Sequence, residues 1–260
     1  MQQPVLRVEA PLVKAAAVVM LPDVRPDDPY EGLLFDIETQ RVRLAARHEA
    51  GKDVLDTARR ALRGRVADLV EHWVGTPYAF HGVTEVPGTG AIACGHFVAT
   101  VLDHAGFHIE LELLGEQASE WIVLTLVPDH EVRRFRSRTT GSTRASIVDW
   151  VEQAGPSVHL VGLDTHVGLL RYDGRGEVEL CHATPRQDQG VICEPAATSP
   201  SLVSRYTVVG RLDNADAAEA WLTGASLATA GQSEPEEPVE PAEASAAMPR
   251  MRGGSGSPSM

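Results

Sequence analysis

The chain has few cysteines, little positive charge and no long apolar run. Cys94, Cys181 and Cys193 are its only cysteines in 260 residues. An odd count in a chain this long does not read as a disulfide framework and fits a reducing compartment, with a single Cys181–Cys193 bridge left open. The formal net charge is -13, which argues against the basic footprint of a nucleic-acid-binding surface. The best apolar run, residues 15–21, is far too short for a membrane span. It is also a poor secretory signal, because Glu9 precedes it and no small-x-small cleavage site follows. The expectation is a cytoplasmic protein, with export only by another route. Among Cys94, His96, His166, Cys181, His182 and Cys193 there is no Cys-x-x-Cys or His-x-x-x-His spacing. Neither a metal site nor a cofactor is therefore expected.

What is present is core-forming material. Hydrophobic residues make up 43% of the chain, enough for one well-buried core. Pro22, Pro26 and Pro29 break up residues 1–50, which read as an N-terminal extension of undetermined structure. The Leu33-Leu34-Phe35 patch there suggests a short strand or a docking segment. Leu55, Ala58, Leu62, Val66, Leu69 and Trp73 then recur at three- and four-residue steps, predicting a helix over 52–73 that Gly75 and Pro77 stop. Residues 82–90 are loop. Helices are predicted over 94–105, with Gly106 at its C′ position, over 117–126 and over 145–154. The period then changes to two. Strands are predicted over 158–163, 166–172, 178–183 and 206–212, with a turn at Asp173-Gly174-Arg175-Gly176. Helices followed by an antiparallel sheet make an α+β domain over 51–222, its N-terminal helices packed on the sheet. Residues 223–260 turn to Pro, Glu, Ala, Gly and Ser and read as a disordered tail.

Cys94 is the residue most charged with chemistry. It opens an apolar helix, where unpaired backbone N–H groups favour a thiolate. Phe97, Val98 and Val101 share its face, so a buried core cysteine is the competing reading. His166 and His182 follow on separate strands. A three-residue hairpin loop would pair His166 with His182, Gly168 with Leu180 and Leu170 with Val178, bringing the apolar residues together on the face that carries both imidazoles. A thiol needs a base, and the base needs an orienting group. Cys94, His166 and His182 supply those three roles. His48, His72, His104, His108, His130 and His159 read as ordinary core or surface histidines.

These residues also resemble a family. The segment Trp73-Val-Gly-Thr-Pro-Tyr78-Ala-Phe-His81-Gly82 resembles the stretch before the catalytic cysteine of NlpC-type cell-wall cysteine peptidases, which have a trimmed papain-like fold. Ala93-Cys94-Gly95-His96-Phe97-Val98 falls where that family's nucleophile helix begins. His166-Val167-Gly168-Leu169 looks like its base-bearing strand, and Cys181-His182-Ala183-Thr184 like the strand holding its third polar residue. The resemblance implies a papain-like fold and a hydrolase that cleaves an amide bond, most naturally in peptidoglycan peptide. Cys94 would be the nucleophile, His166 the base, His182 its orienting residue, and Tyr78 an oxyanion or substrate contact. The partner is then a peptide or acyl substrate. Ala93 and Gly95 stand where the family carries Asp and Ser, which bind the substrate's free amino group. The Cys-x-His-Phe-Val string is also similar to lecithin:retinol acyltransferase-like enzymes, where the histidine precedes the cysteine; His81 would have to fill that place. An acyltransferase or lipid hydrolase with the same triad, or a non-catalytic binding domain of the same fold, are the alternatives.

Overall fold

The computed structural model describes residues 24–136, 142–186 and 189–228. Most of the expected tail lies outside the described residues, as does the apolar run at 15–21. Helix α1 spans Pro29–Glu49, α2 Leu55–Trp73 and α3 Cys94–His104. The short α4 spans Leu111–Gly115, and α5 spans Ser119–Leu126. Strand β1 is Arg133–Arg136 and helix α6 is Ser142–Gln153. Strands β2 (Ser157–Leu163), β3 (Val167–Tyr172), β4 (Glu179–Thr184), β5 (Gly190–Pro195) and β6 (Tyr206–Arg211) follow, and α7 is Ala215–Thr223. The strands form one antiparallel sheet in the order β1-β6-β2-β3-β4-β5. The class is α+β.

The Leu33-Leu34-Phe35 patch is neither a strand nor a free docking segment: it lies inside α1. The Asp28 side chain accepts the backbone N–H groups of Tyr30 and Glu31, and Pro29 opens the first turn. Leu33, Ile37, Arg41 and Leu44 then form the buried stripe. This helix packs on α2 and α7, so the packed unit begins well before residue 51. The Tyr30 hydroxyl accepts a hydrogen bond from Trp73 Nε1–H at 2.8 Å and lies 2.7 Å from Nδ1 of His104, tying α1 to α2 and α3. Arg41 pairs with Glu38 and also donates to the Trp221 carbonyl of α7.

Both faces of the sheet are covered. On one, α1, α2, α3, α5 and α7 bury residues such as Leu62, Trp73 and Phe97 against Leu160 and Leu169. On the other, Ile147 and Val151 of α6 pack on Val161, Leu170 and Leu180. Leu160 and Val161 are sequence neighbours that enter different cores, as strand geometry requires. Each such fully buried side chain contributes about 1.5–3 kcal/mol.

The hairpin register differs from expectation by two residues. Leu170 pairs with Leu180, and Leu169 with Cys181. The connection is longer than three residues because the Asp173 side chain accepts the backbone N–H groups of Arg175 and Gly176. Val178 then gives its carbonyl to the N–H of Ala196, not to β3. A slip of two residues preserves the face, so His166 and His182 still share a side of the sheet. The cysteine reading also changes. Cys181 and Cys193 form a disulfide between directly paired positions of β4 and β5, leaving Cys94 as the free thiol.

His159 on β2 is an ordinary core histidine by position, yet it carries a liability. It is fully buried against Trp150 of α6, with ring centroids 5.1 Å apart. Among the described residues neither of its ring nitrogens has a hydrogen-bond partner. Burial, with a smaller effect from Arg211 opposed by Asp213, lowers its pKa from 6.5 to about 4. A histidine that is neutral when folded and protonated when unfolded destabilises the fold as pH falls. Its contribution is intact above about pH 6.5 and is lost toward pH 4, at about 1.4 kcal/mol per pH unit. Denaturant unfolding between pH 7 and 4 should therefore show stability falling with acid. His159→Phe should flatten that slope without abolishing it, because His166 and His182 have the same depressed pKa.

Candidate functional site

The N-terminus of α3 and the loop before β3 meet at one end of the sheet. The loop from Pro77 to Ile92 is held there by backbone pairing: Ile92 N–H donates to the Pro77 carbonyl at 2.9 Å, and Ala93 N–H to Gly82 at 2.8 Å. Cys94 follows as the first residue of α3. Its half-buried thiol lies beside the backbone N–H of Val167, the residue after His166. Cys94, His166, Tyr78, Phe80, Val83 and Arg186 are among the residues lining a cleft of about 840 Å³.

The thiol is not the ready thiolate that its helix position suggests. Burial raises its pKa, outweighing the hydrogen bonds offered by the backbone N–H groups of Val167, Gly95 and Cys94 itself. His166 is shifted the other way, to about 4, by burial and by His182, with Glu194 partly opposing. His182, fully buried, is lowered to about 4 by burial and then by Arg186. The resting site near neutral pH is thus a neutral thiol beside a neutral imidazole. A resting thiolate–imidazolium ion pair is therefore disfavoured.

The two imidazoles meet as expected from sequence. Nε2 of His166 lies 2.6 Å from Nδ1 of His182, with ring centroids 4.9 Å apart and planes at 83°. Their contact is diagonal, because continuing the β3–β4 register sets His182 opposite Gly168. A Cβ at Gly168 would lie 3.0 Å from the His182 Cβ and 2.9 Å from the Cys181 carbonyl oxygen. Only glycine leaves room there for both rings. Among the described residues, no hydrogen bond joins the Cys94 thiol to the His166 ring, although both line the cleft and a smaller recess of about 240 Å³ beside it.

Tyr78 is half-buried on the cleft wall, and its pKa is raised by burial and by the proximity of Cys94. It stands near the thiol on the same cleft wall. His81 also lines the cleft, and among the described residues no hydrogen bond joins it to Cys94 or His166. Gly95 has a packing reason. A Cβ there would sit 2.1 Å from the carbonyl oxygen of Gly115, because α4 presses directly on the start of α3. A serine at this position has no room. Among the described residues no group of three or more His, Cys, Asp or Glu side chains could hold a metal ion, and no helix is long and apolar enough to cross a membrane.

One residue escaped the sequence reading. Glu194 on β5 places Oε1 3.3 Å from Nε2 of His182, and accepts the hydroxyl of Ser199 at the same oxygen. No strand was expected at 190–195. The signal that could have found it is the cysteine pair. Once Cys181 and Cys193 are placed opposite each other, His182 faces Ile192, and Glu194 falls diagonally beside it on the same face.

Gly95→Ser should lower stability by about 2–3 kcal/mol in denaturant unfolding, since backbone must move to admit the side chain. Wild-type stability in that variant would mean that α4 does not pack as described. The chain matches no protein-family model, no curated protein and no solved structure.

Proposed function

We propose that this chain is a cysteine-nucleophile hydrolase of papain-like, NlpC-type architecture, acting on an amide bond. The observation that carries the reading is the 2.6 Å contact between His166 and His182 at the edge of a cleft that also holds the single free cysteine. In this reading Cys94 Sγ attacks the carbonyl carbon as its proton passes to Nδ1 of His166, the nitrogen not engaged by His182. The tetrahedral oxyanion is met by the backbone N–H of Cys94 at the helix N-terminus, with Tyr78 alongside; one such donor is typically worth about 3 kcal/mol. Collapse breaks the C–N bond, and His166 returns the proton to the leaving amine. Water then adds to the thioester, giving the acid and the free thiol.

Peptidoglycan peptide is the proposed substrate class, on the strength of the family resemblance. The Cys181–Cys193 bridge supports a site of action outside the reducing cytoplasm, where such a substrate is found. Ala93 and Gly95 offer no side chain that could bind a free amino group, so the scissile bond need not lie next to a free N-terminus. A second reading has its own support. Phe80 is 76% exposed and Val83 58% exposed on the cleft wall, which suits an acyl chain and hence an acyltransferase or lipid hydrolase using the same residues.

Mass spectrometry of peptidoglycan fragments incubated with wild type and Cys94→Ala tests the proposal. Wild type should release new peptide products, and the variant none, while losing no more than about 1–2 kcal/mol of stability. Equal turnover by both proteins contradicts it. Products from lipid esters alone select the second reading.

A further inference from the structure

We propose that Glu194 is a positioning residue that sets the tautomers of both histidines and so leaves Nδ1 of His166 unprotonated and open to the thiol. This rests on the hydrolase reading for its purpose, but its geometry stands apart from any substrate. An ionised carboxylate only accepts hydrogen bonds. With Oε1 3.3 Å from Nε2 of His182, the proton of a neutral His182 belongs on Nε2. Its Nδ1 is then a bare acceptor. The atom facing it at 2.6 Å, Nε2 of His166, must be the donor. A neutral imidazole has one proton, so Nδ1 of His166 carries the lone pair. Each step leaves only one arrangement for the next.

Ser199 keeps the far end of this chain fixed. It is 1% exposed, and its Oγ accepts the backbone N–H groups of Ser201 at 3.1 Å and Leu202 at 3.3 Å. With those two bonds received, its own O–H points to Glu194 Oε1. That oxygen thus serves as acceptor for Ser199 and faces His182 at the same time. The sequence Ser199, Glu194, His182, His166 is therefore directional: every hydrogen points toward Glu194. Without Glu194, His182 is free to carry its proton on Nδ1. It would then donate to Nε2 of His166 and move the His166 proton onto Nδ1, the nitrogen needed for the thiol. Loss of the carboxylate in this way resembles the wrong-tautomer failure of a serine-protease triad that lacks its aspartate.

The direct test is imidazole nitrogen NMR on the ¹⁵N-labelled full chain near pH 7, with iodoacetamide alkylation of Cys94 as a second readout. Wild type should show both His166 and His182 protonated at Nε2 and bare at Nδ1. Glu194→Leu keeps bulk and removes the acceptor. It should give His182 a mixed or reversed tautomer and slow Cys94 alkylation at neutral pH by about tenfold or more. Wild-type His182 protonated at Nδ1 overturns the proposal whether or not the variant folds. So does a folded Glu194→Leu with unchanged tautomers and unchanged alkylation. Failure of the hydrolase reading looks different: the wild-type tautomers hold, yet no fragment is cleaved.

Discussion

Two imidazole nitrogens 2.6 Å apart in a buried site hold one proton between them, and the site is organised around that constraint. If both nitrogens carried hydrogens the rings would repel, and if neither did two lone pairs would face each other. Burial reinforces the rule by lowering both pKa values to about 4, so that neutral rings are the working state. The surrounding residues satisfy the constraint from one side. Glu194, supported by Ser199, faces the far nitrogen of His182. The other ring nitrogen of His166 is the one His182 does not engage, in a residue that shares its cleft with Cys94.

Backbone geometry makes room for this pair. Gly168 lets the rings meet diagonally across β3 and β4, where any side chain would fill the gap. Gly95 lets α4 press against the first turn of α3, which seats Cys94 beside the backbone of Val167. The helix N-terminus and the burial of the sulfur act on the thiol in opposite directions. Backbone N–H groups favour the thiolate and desolvation opposes it, and desolvation is the larger effect. The result is a thiol that is protonated at rest.

Much of this was legible in the chain. The stripe from Ala58 to Trp73 gave α2, because one buried face at 3.6-residue spacing has few other solutions. Four of the strands were readable, as was the shared face of His166 and His182. The exact pairing was not, because the Asx turn at Asp173 lengthens the connection by side-chain bonds that residue spacing does not reveal. Helix α1 was hidden by the prolines that precede and open it, although Pro29 sits at the first helical position where proline is favourable. Strand β2 is buried at every position, so alternation carried little information. Strand β5 and Glu194 were missed together. Their placement follows from the Cys181–Cys193 bridge, which the odd cysteine count left only as an open alternative.

The central claim is that His166 serves Cys94 as a base in spite of a thiol pKa raised by burial. Iodoacetamide alkylation of Cys94, followed from pH 4 to pH 10 in wild type and in His166→Ala, tests it most directly. Base assistance predicts a wild-type rate that rises as His166 loses its proton in mild acid, holds through neutrality, and rises again as the thiol ionises. His166→Ala should lose the neutral plateau and keep only the alkaline rise. Superimposable profiles in the two proteins would contradict the account and leave Cys94 as a core cysteine beside an unrelated pair of histidines.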